Sequence, residues 1–372
     1  LLVQQFFSDS AHASFVHTHF IPLYVKIESP EGEAFRERYE IYAFPSVPLI
    51  QSDGSILDIL SSYRDPESYR QRLEHALRGE DTYAAVKARY DADPRDLRIT
   101  ARLVQKYMEM WQSHKAGPLA IQIVERAEEA KTIQIPFGRE RDPVNLYEAA
   151  RLLQAGMVWE EESSTVGYEA FIAEFPDGDL IAYAYNDLAR RYIELGMANE
   201  KSDQFFLDLK DRFPEDEGME GHFIRYCISS GRFLETGETM ARRRMEEQPG
   251  SRDRRQNLTD ILLKGERISE ALDLYGESYI ANFQKNATAL NSYAWFWALR
   301  EKNLESALET AKRALSLKND PNIWDTLSMV YLKMKEYQKA IEAEEKAYEL
   351  APSEGFKRRI EEIREEMTKI PR

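Results

Sequence analysis

Cysteine is nearly absent: Cys227 is the only one among 372 residues, which excludes an internal disulfide and every multi-cysteine metal site. It lies in the apolar run Phe223-Ile224-Arg225-Tyr226-Cys227-Ile228, where a thiol is expected to be buried and inert. Long hydrophobic runs are also missing. None approaches the roughly 18 uninterrupted apolar residues of a membrane-spanning helix, so no membrane insertion is expected. Positive charge is in deficit, with 50 Lys and Arg against 65 Asp and Glu and a net charge of −15. That balance repels phosphate backbones and anionic lipid, which argues against nucleic acid as a partner. The opening Leu1-Leu2-Val3-Gln4-Gln5-Phe6-Phe7 has no initiator Met, basic leader or cleavage site and does not read as an intact secretion signal.

The chemistry-bearing patterns are equally sparse. No glycine loop that could cradle a phosphate is found, nor a Gly-x-Ser-x-Gly elbow or a kinase signature, so no cofactor is expected and no nucleophilic enzyme is supported. His12, His17 and His19 cluster, but positions five and seven apart share a helix face only in part, and no His-x-x-x-His pair accompanies them. We read them as solvated and expect no metal. The carboxylate runs Glu125 with Glu128-Glu129, Glu160-Glu161-Glu162 and Glu342 with Glu344-Glu345 lack a calcium-loop pattern and read as solvated helix faces.

What is present begins with a mixed pattern over the first eighty residues. A helical opening to about His19 precedes a strand-like Ile21-Pro22-Leu23-Tyr24-Val25-Lys26-Ile27. A short helix from Glu33 to Tyr39 leads to a strand within Ile41–Ile50, the turn Ser52-Asp53-Gly54 and a second strand Ile56–Leu60, which together read as a β-hairpin. Pro48 cannot donate to a ladder, so a bulge is expected at that end of the strand. Asp65 as N-cap and Pro66 at the first helical position open a last helix, running to about Leu77 before Gly79.

This order, with Tyr39-Glu40-Ile41, Phe44-Pro45-Ser46 and Asp53-Gly54 at these intervals, resembles the second part of a thioredoxin fold. It looks closest to a bacterial group in which a thioredoxin domain precedes helical repeats, since Phe7-Ser8-Asp9 and His19-Phe20-Ile21 match the helix and strand that follow the active-site cysteines there. The resemblance implies that Pro45 is a cis proline facing a dithiol. It places the first strand and the Cys-x-x-Cys turn before Leu1, so we expect the sequence to be a piece of a longer chain. It also implies a periplasmic or cell-envelope location, with the cytoplasm left open.

From about Glu80 onward, amphipathic segments alternate with breaks at Asp93-Pro94, Gly117-Pro118, Pro136-Phe137-Gly138, Pro176-Asp177-Gly178, Gly196, Pro214, Gly231 and Pro249-Gly250, a pattern read as all helix. Ala294, Ala298, Ala307, Ala314 and Leu317 recur 33 residues later as Leu327, Tyr331, Ala340, Ala347 and Leu350. With Trp324, Ser328 and Pro352, the second copy resembles the tetratricopeptide repeat of about 34 residues. The core spacing extends to Leu258, Leu262, Ala271, Tyr275 and, more weakly, to Ile224, Ile228, Gly237, Ala241; to Ala189, Ile193, Ser202, Phe206; and to Tyr107, Trp111, Ala120, Val124. Residues 128–180 fit poorly, and irregular hairpins with a long loop around Pro136 to Asp142 are expected there.

The expected fold is therefore α/β plus all-α: a partial thioredoxin-like domain over 1–79, degenerate helical hairpins over 80–287, two tetratricopeptide repeats over 288–352 and a capping helix over 353–372. Stacked hairpins would form a solenoid whose inner face is lined by the first helix of each repeat. By transfer from tetratricopeptide proteins, that face would carry Ser292, Phe296, Leu299, Asp325, Met329 and Leu332 as partner-binding residues, unless these pack beneath a neighbouring hairpin. The Lys and Asn clamp that grips a peptide carboxylate in some such proteins is absent. The first expectation is a protein-binding scaffold with a protein or peptide partner and a redox-inactive amino-terminal segment. The alternative is a thiol–disulfide oxidoreductase whose dithiol lies upstream, with repeats that recruit clients, and a third reading is an assembly factor at a cell envelope. The oligomeric state is not legible.

Overall fold

The computed structural model describes residues 2–27, 29–61, 63–137 and 142–369. The chain divides into two units, Leu1–Tyr192 and Ile193–Arg372. Among the described residues no helix is long and apolar enough to cross a membrane.

The first unit opens with a π-helical turn, Val3–Phe7, and α1 (Ser10–His19), whose N-cap Asp9 accepts hydrogen bonds from the Ala11 and His12 amides. After α2 (Pro30–Tyr39), whose chain exit requires a left-handed Glu40, β1 (Ser46–Ile50) and β2 (Ile56–Ser61) pair as the expected antiparallel hairpin. Gly54 supplies the positive φ of the turn, and the register shifts between Leu49 and Ile50, beside Pro48. Asp65 caps α3 (Pro66–Leu77) through the Ser68 amide, and Tyr69 and Leu73 bury against Phe6, Val16, Leu49 and Leu60.

The strand expected over Ile21–Ile27 is not there. Residues 20–26 have no regular structure, no strand lies alongside them among the described residues, and Ile21, Leu23 and Tyr24 are 80% or more exposed. Strand propensity without a ladder partner leaves the backbone to water and forms no sheet. The described part of this region thus has a two-stranded sheet where the thioredoxin-like expectation requires more, and that part of the expectation has no support.

Helices follow: α4 (Tyr83–Ala92), α5 (Leu97–Glu109), α6 (Ser113–Glu125) and the short α7 (Ala127–Ala130). The break expected at Gly117-Pro118 is no break. Pro118 sits inside α6, early in the helix, and Gly117 is pressed against the Met157 side chain. Lys106 of α5 forms a buried ion pair with Asp58 of β2, 2.8 Å apart, which ties the hairpin to the helices behind it. The all-helix expectation beyond Glu80 also needs correction. β3 (Gln134–Phe137) pairs antiparallel with β4 (Asp142–Asn145), with Ile135 opposite Val144 and both buried. Paired prolines, Pro136 opposite Pro143, had made this stretch read as a loop. Residues 138–141 of the expected loop lie outside the described residues. The unit continues with α8 (Leu146–Glu162), α9 (Val166–Glu174) and α10 (Ile181–Glu194). Buried Glu148 accepts hydrogen bonds from the Asp179 and Leu180 amides at the start of α10.

The second unit is wholly helical among its described residues: α11 (Glu200–Arg212), α12 (Glu217–Ser230), α13 (Leu234–Glu247), α14 (Arg252–Lys264), α15 (Ile268–Tyr275), α16 (Glu277–Ala281), α17 (Ala287–Leu299), α18 (Leu304–Leu317), α19 (Pro321–Lys333), α20 (Tyr337–Leu350) and α21 (Glu354–Thr368). Consecutive helices pair as hairpins, α12 with α13, α14 with α15, α17 with α18 and α19 with α20, and first helices also pack on one another, as α17 does on α19. The repeat columns explain the packing. Ala294, Ala298, Ala307, Ala314, Ala340 and Ala347 are all fully buried, because side chains no larger than a methyl let the rods approach. Leu317 and Leu350 share a column too, yet both are 45% exposed at their helix ends. Leu258, Leu262, Ala271 and Tyr275 are buried as the spacing implies, and Gly237 lies against Cys227. Trp111 departs from the spacing, being 62% exposed just after α5. The charged face of α21 stays in water while Ile360 and Ile363 close the stack over Ala340 and Ile341.

Candidate functional site

The first helices of three successive hairpins in the second unit line an open hollow of about 340 Å³. Arg252 and Gln256 come from α14, Asn291, Ser292 and Trp295 from α17, and Asn322, Asp325 and Thr326 from α19. Arg252 and Gln256 are four residues apart, Ser292 and Trp295 three, and Asn322 and Asp325 three, spacings that put each pair on one helix face, with Asn291 and Thr326 flanking them. The opposite faces carry the core, including Leu258, Tyr293, Trp297, Leu327 and Val330. A second hollow of about 310 Å³ adjoins it, lined by residues that include Arg252, Tyr279, Asn286 and Ser292. Arg252 separates the two, donating to Ser292 Oγ at 2.9 Å and lying 3.2 Å from the Asp253 carboxylate. Helix caps hold the lining in place. Ser251, Asn286 and Asp320 each accept a hydrogen bond from the first turn of the helix they open.

Two of the six residues expected on the inner face, Ser292 and Asp325, are brought together here. Phe296 and Met329 are not. They are 2% and 7% exposed and belong to the core, which corrects their placement on an open surface. Phe296 meets Tyr275 and Trp297 edge-on, and the Arg300 guanidinium covers its ring at 3.6 Å while pairing with Asp260. One step along α17 separates this buried ring from Trp295 in the hollow. Leu299 is 47% exposed but lines neither hollow, and Leu332 is half-buried against the cluster that seats α21. Arg252, Gln256, Asn291, Trp295, Asn322 and Thr326 were not expected. Asn322, polar and three residues before Asp325, is the one among them that helix spacing from the expected pair could have marked.

Beneath the hollow, Asp325 lies against Glu344 of α20. Glu344 is fully buried, and its carboxyl group and that of Asp325 are close enough to share a proton. Ser328 beside them gives its hydroxyl proton to the Ala340 carbonyl at 2.8 Å. Arg359 of α21 supplies a positive charge, its Nε 3.8 Å from Asp325 Oδ1 and beyond hydrogen-bond range. Burial, and then the charge of Asp325, pushes the Glu344 carboxyl up to about 7, and burial raises Asp325 as well.

Pro45 lies exposed in the first unit, and its peptide bond to Phe44 is cis. Cys227 is fully buried in the second unit, with burial pushing its thiol up to about 12. Among the described residues no group of three or more His, Cys, Asp or Glu side chains converges as a metal site would require.

No family model matches the chain, and no curated protein matches it. Among solved structures, the chain is similar to a tetratricopeptide repeat protein from Parabacteroides merdae, with 11% identity over 80% of this chain and 95% of that one and a TM-score of 0.45. It is also similar to a thermophilic TPR protein of Thermus thermophilus, with 19% identity over 58% and 98% of the two chains and a TM-score of 0.28. A third similarity is to the P58(IPK) TPR domain, with 13% identity over 82% and 96% and a TM-score of 0.23. At those scores the helical-hairpin architecture stands on the packing described above and not on the matches.

Proposed function

We propose that this protein is a binding scaffold whose second unit receives an extended segment of a partner polypeptide in the polar trough across α14, α17 and α19. The observation that carries this reading is the division of labour on those three helices: one face forms the core, while the other holds polar side chains around an open hollow. A helix face that served only the fold would be either buried and apolar or flat and solvated. Hydrogen-bonding side chains around a concavity suit a peptide backbone and its side chains. A thiol–disulfide activity finds no reactive group in this sequence, since its one cysteine is buried with a raised pKa.

Screening the protein against an immobilised library of blocked nonapeptides tests the reading. Peptides that bind should be lost when Ser292→Arg or Asn322→Trp fills the trough, while the helical circular dichroism and melting temperature stay those of the unaltered chain. Peptide binding that ignores both substitutions, or no binding to any peptide, would end this proposal.

A further inference from the structure

Arg225 on α12 is exposed, and no carboxylate lies in ion-pair range of it among the described residues. Its Nη2 donates to Nδ1 of buried His222 at 2.8 Å, since a guanidinium has no lone pair with which to accept. Arg244, in the last turn of α13, is held in a similar way: its Nη1 donates to the Glu217 carbonyl at 2.8 Å. The carboxylates nearest to Arg244, those of Glu220 and Glu217, stand 3.7 and 3.9 Å away, beyond hydrogen-bond range. Both are engaged elsewhere, Glu220 by Arg243 and Glu217 by Arg254. A ring nitrogen and a carbonyl oxygen fix the direction of a guanidinium without neutralising it. The two groups meet over Gly221, where a Cβ would lie 3.4 Å from Arg244 Nη1 and 3.9 Å from Arg225 Nη1. Part-burial of the Arg225 guanidinium, and then the charge of Arg244, hold it below the usual arginine range. Two like charges are thus kept together, each oriented and neither hydrogen-bonded to a carboxylate. Elsewhere in this unit Arg232, Arg267 and Arg300 all rest on carboxylates, as part-covered cations ordinarily do.

We propose that Arg225 and Arg244 together receive one carboxylate, the side chain of an aspartate or glutamate in the partner polypeptide, with one oxygen on each guanidinium. The inference rests on the second unit being a polypeptide-binding scaffold and adds a charge requirement to it. α12 packs on α14, so the pair lies one first helix beyond the trough. By the repeat spacing that sets Ile224 level with Ala294, Arg225 holds on α12 the position that Trp295 holds on α17 at the hollow. Charge selects a carboxylate over a phosphate. With Arg243 and Arg254, the pair faces three carboxylates, Glu217, Glu220 and Glu247, leaving a surplus of one positive charge that a monoanion closes and a phosphate dianion overshoots. Hydrogen bonds from two guanidinium groups to one carboxylate are of the strong, charge-assisted kind. The net charge of −15 repels a run of acids, so the segment that fits carries one acidic residue among neutral or basic ones.

The test uses the full chain and fluorescence polarisation with labelled nonapeptides, blocked at both ends and drawn from a positional library. Aspartate or glutamate should be enriched at one position and depleted at the others. Replacing that glutamate by glutamine, which keeps the shape and removes the charge, should weaken binding tenfold or more. Arg225→Gln, at an exposed position outside the core, should weaken the glutamate peptide by a similar factor and leave the glutamine peptide unchanged, so that the two changes do not add. Arg244→Gln should do the same, and if that variant fails to fold, Arg225→Gln decides alone. Peptides that bind without acidic preference, or glutamine and Arg225→Gln effects that simply add, would overturn this inference and leave the scaffold reading intact. A phosphoserine peptide that binds tighter than the glutamate peptide, or a free carboxyl terminus that replaces the acidic side chain, would overturn the assignment to aspartate or glutamate. Failure of every peptide to bind would remove both readings.

Discussion

The ammonium of Lys106 stands 2.8 Å from the Asp58 carboxylate, with both side chains 7% exposed. Asp58 Oδ1 also accepts the Ile59 amide at 2.9 Å, so the carboxylate is fixed on the hairpin and the lysine reaches it from α5. Lys106→Met leaves that carboxylate buried beside no cation and should cost about 3–5 kcal/mol in urea unfolding. The double replacement Asp58→Leu with Lys106→Leu should cost far less than the sum of the single changes. Additive losses would mean that the two groups do not depend on each other.

Gly237 is the second pressure point. A methyl group there would come within 2.9 Å of both Cβ and Sγ of Cys227. Alanine is the better helix former by about 1 kcal/mol, yet the overlap should outweigh this and leave Gly237→Ala about 1–2 kcal/mol less stable. The thiol, pushed up to about 12 by burial, should ignore Ellman's reagent in the native chain and react once in urea. Rapid native labelling would contradict the burial.

Stability should depend on pH through Glu344. Its carboxyl is held up to about 7 in the fold against 4.5 ordinarily, so the folded chain binds more protons between those values. Stability is then greatest below that window and falls as pH rises through it, by up to about 3 kcal/mol, and the raised Asp325 acts with the same sign. Glu344→Gln should flatten the slope of urea midpoints between pH 5 and 8 and stabilise the chain by about 1–3 kcal/mol at pH 8. An unchanged slope in that variant would show that another group titrates.

Phe296→Glu or Met329→Glu places a carboxylate in the core of the second unit and should abolish its cooperative melting. Asn322→Ala, in the wall of the hollow, should shift the melting temperature by no more than about 2 °C. A folded Phe296→Glu protein would return that ring to the exposed face where the repeat spacing first put it.

The sequence disclosed the helical hairpins well, because the 33-residue recurrence of small side chains is a packing requirement written into composition. Asp65-Pro66 and Asp53-Gly54 were legible for the same local reason: a cap and a turn depend on their own few residues. Ile21–Ile27 misled because a strand depends on its neighbour, and β3–β4 was overlooked because facing prolines look like breakers when taken one at a time. The trough was half legible. Ser292 and Asp325 share a column 33 residues apart, but which way Phe296 turns depends on Tyr275 of another helix, 21 residues back in the sequence, as well as on Arg300 one turn along its own.

The buried alanines separate two kinds of freedom. Spacing between the rods is set by methyl groups on one side of each rod, while the residues that would touch a visitor project from another side of the same rods. Specificity can therefore drift, one surface letter at a time, without any change in the scaffold's pitch, and a designer could rewrite the visitor's code while leaving every rib where it is.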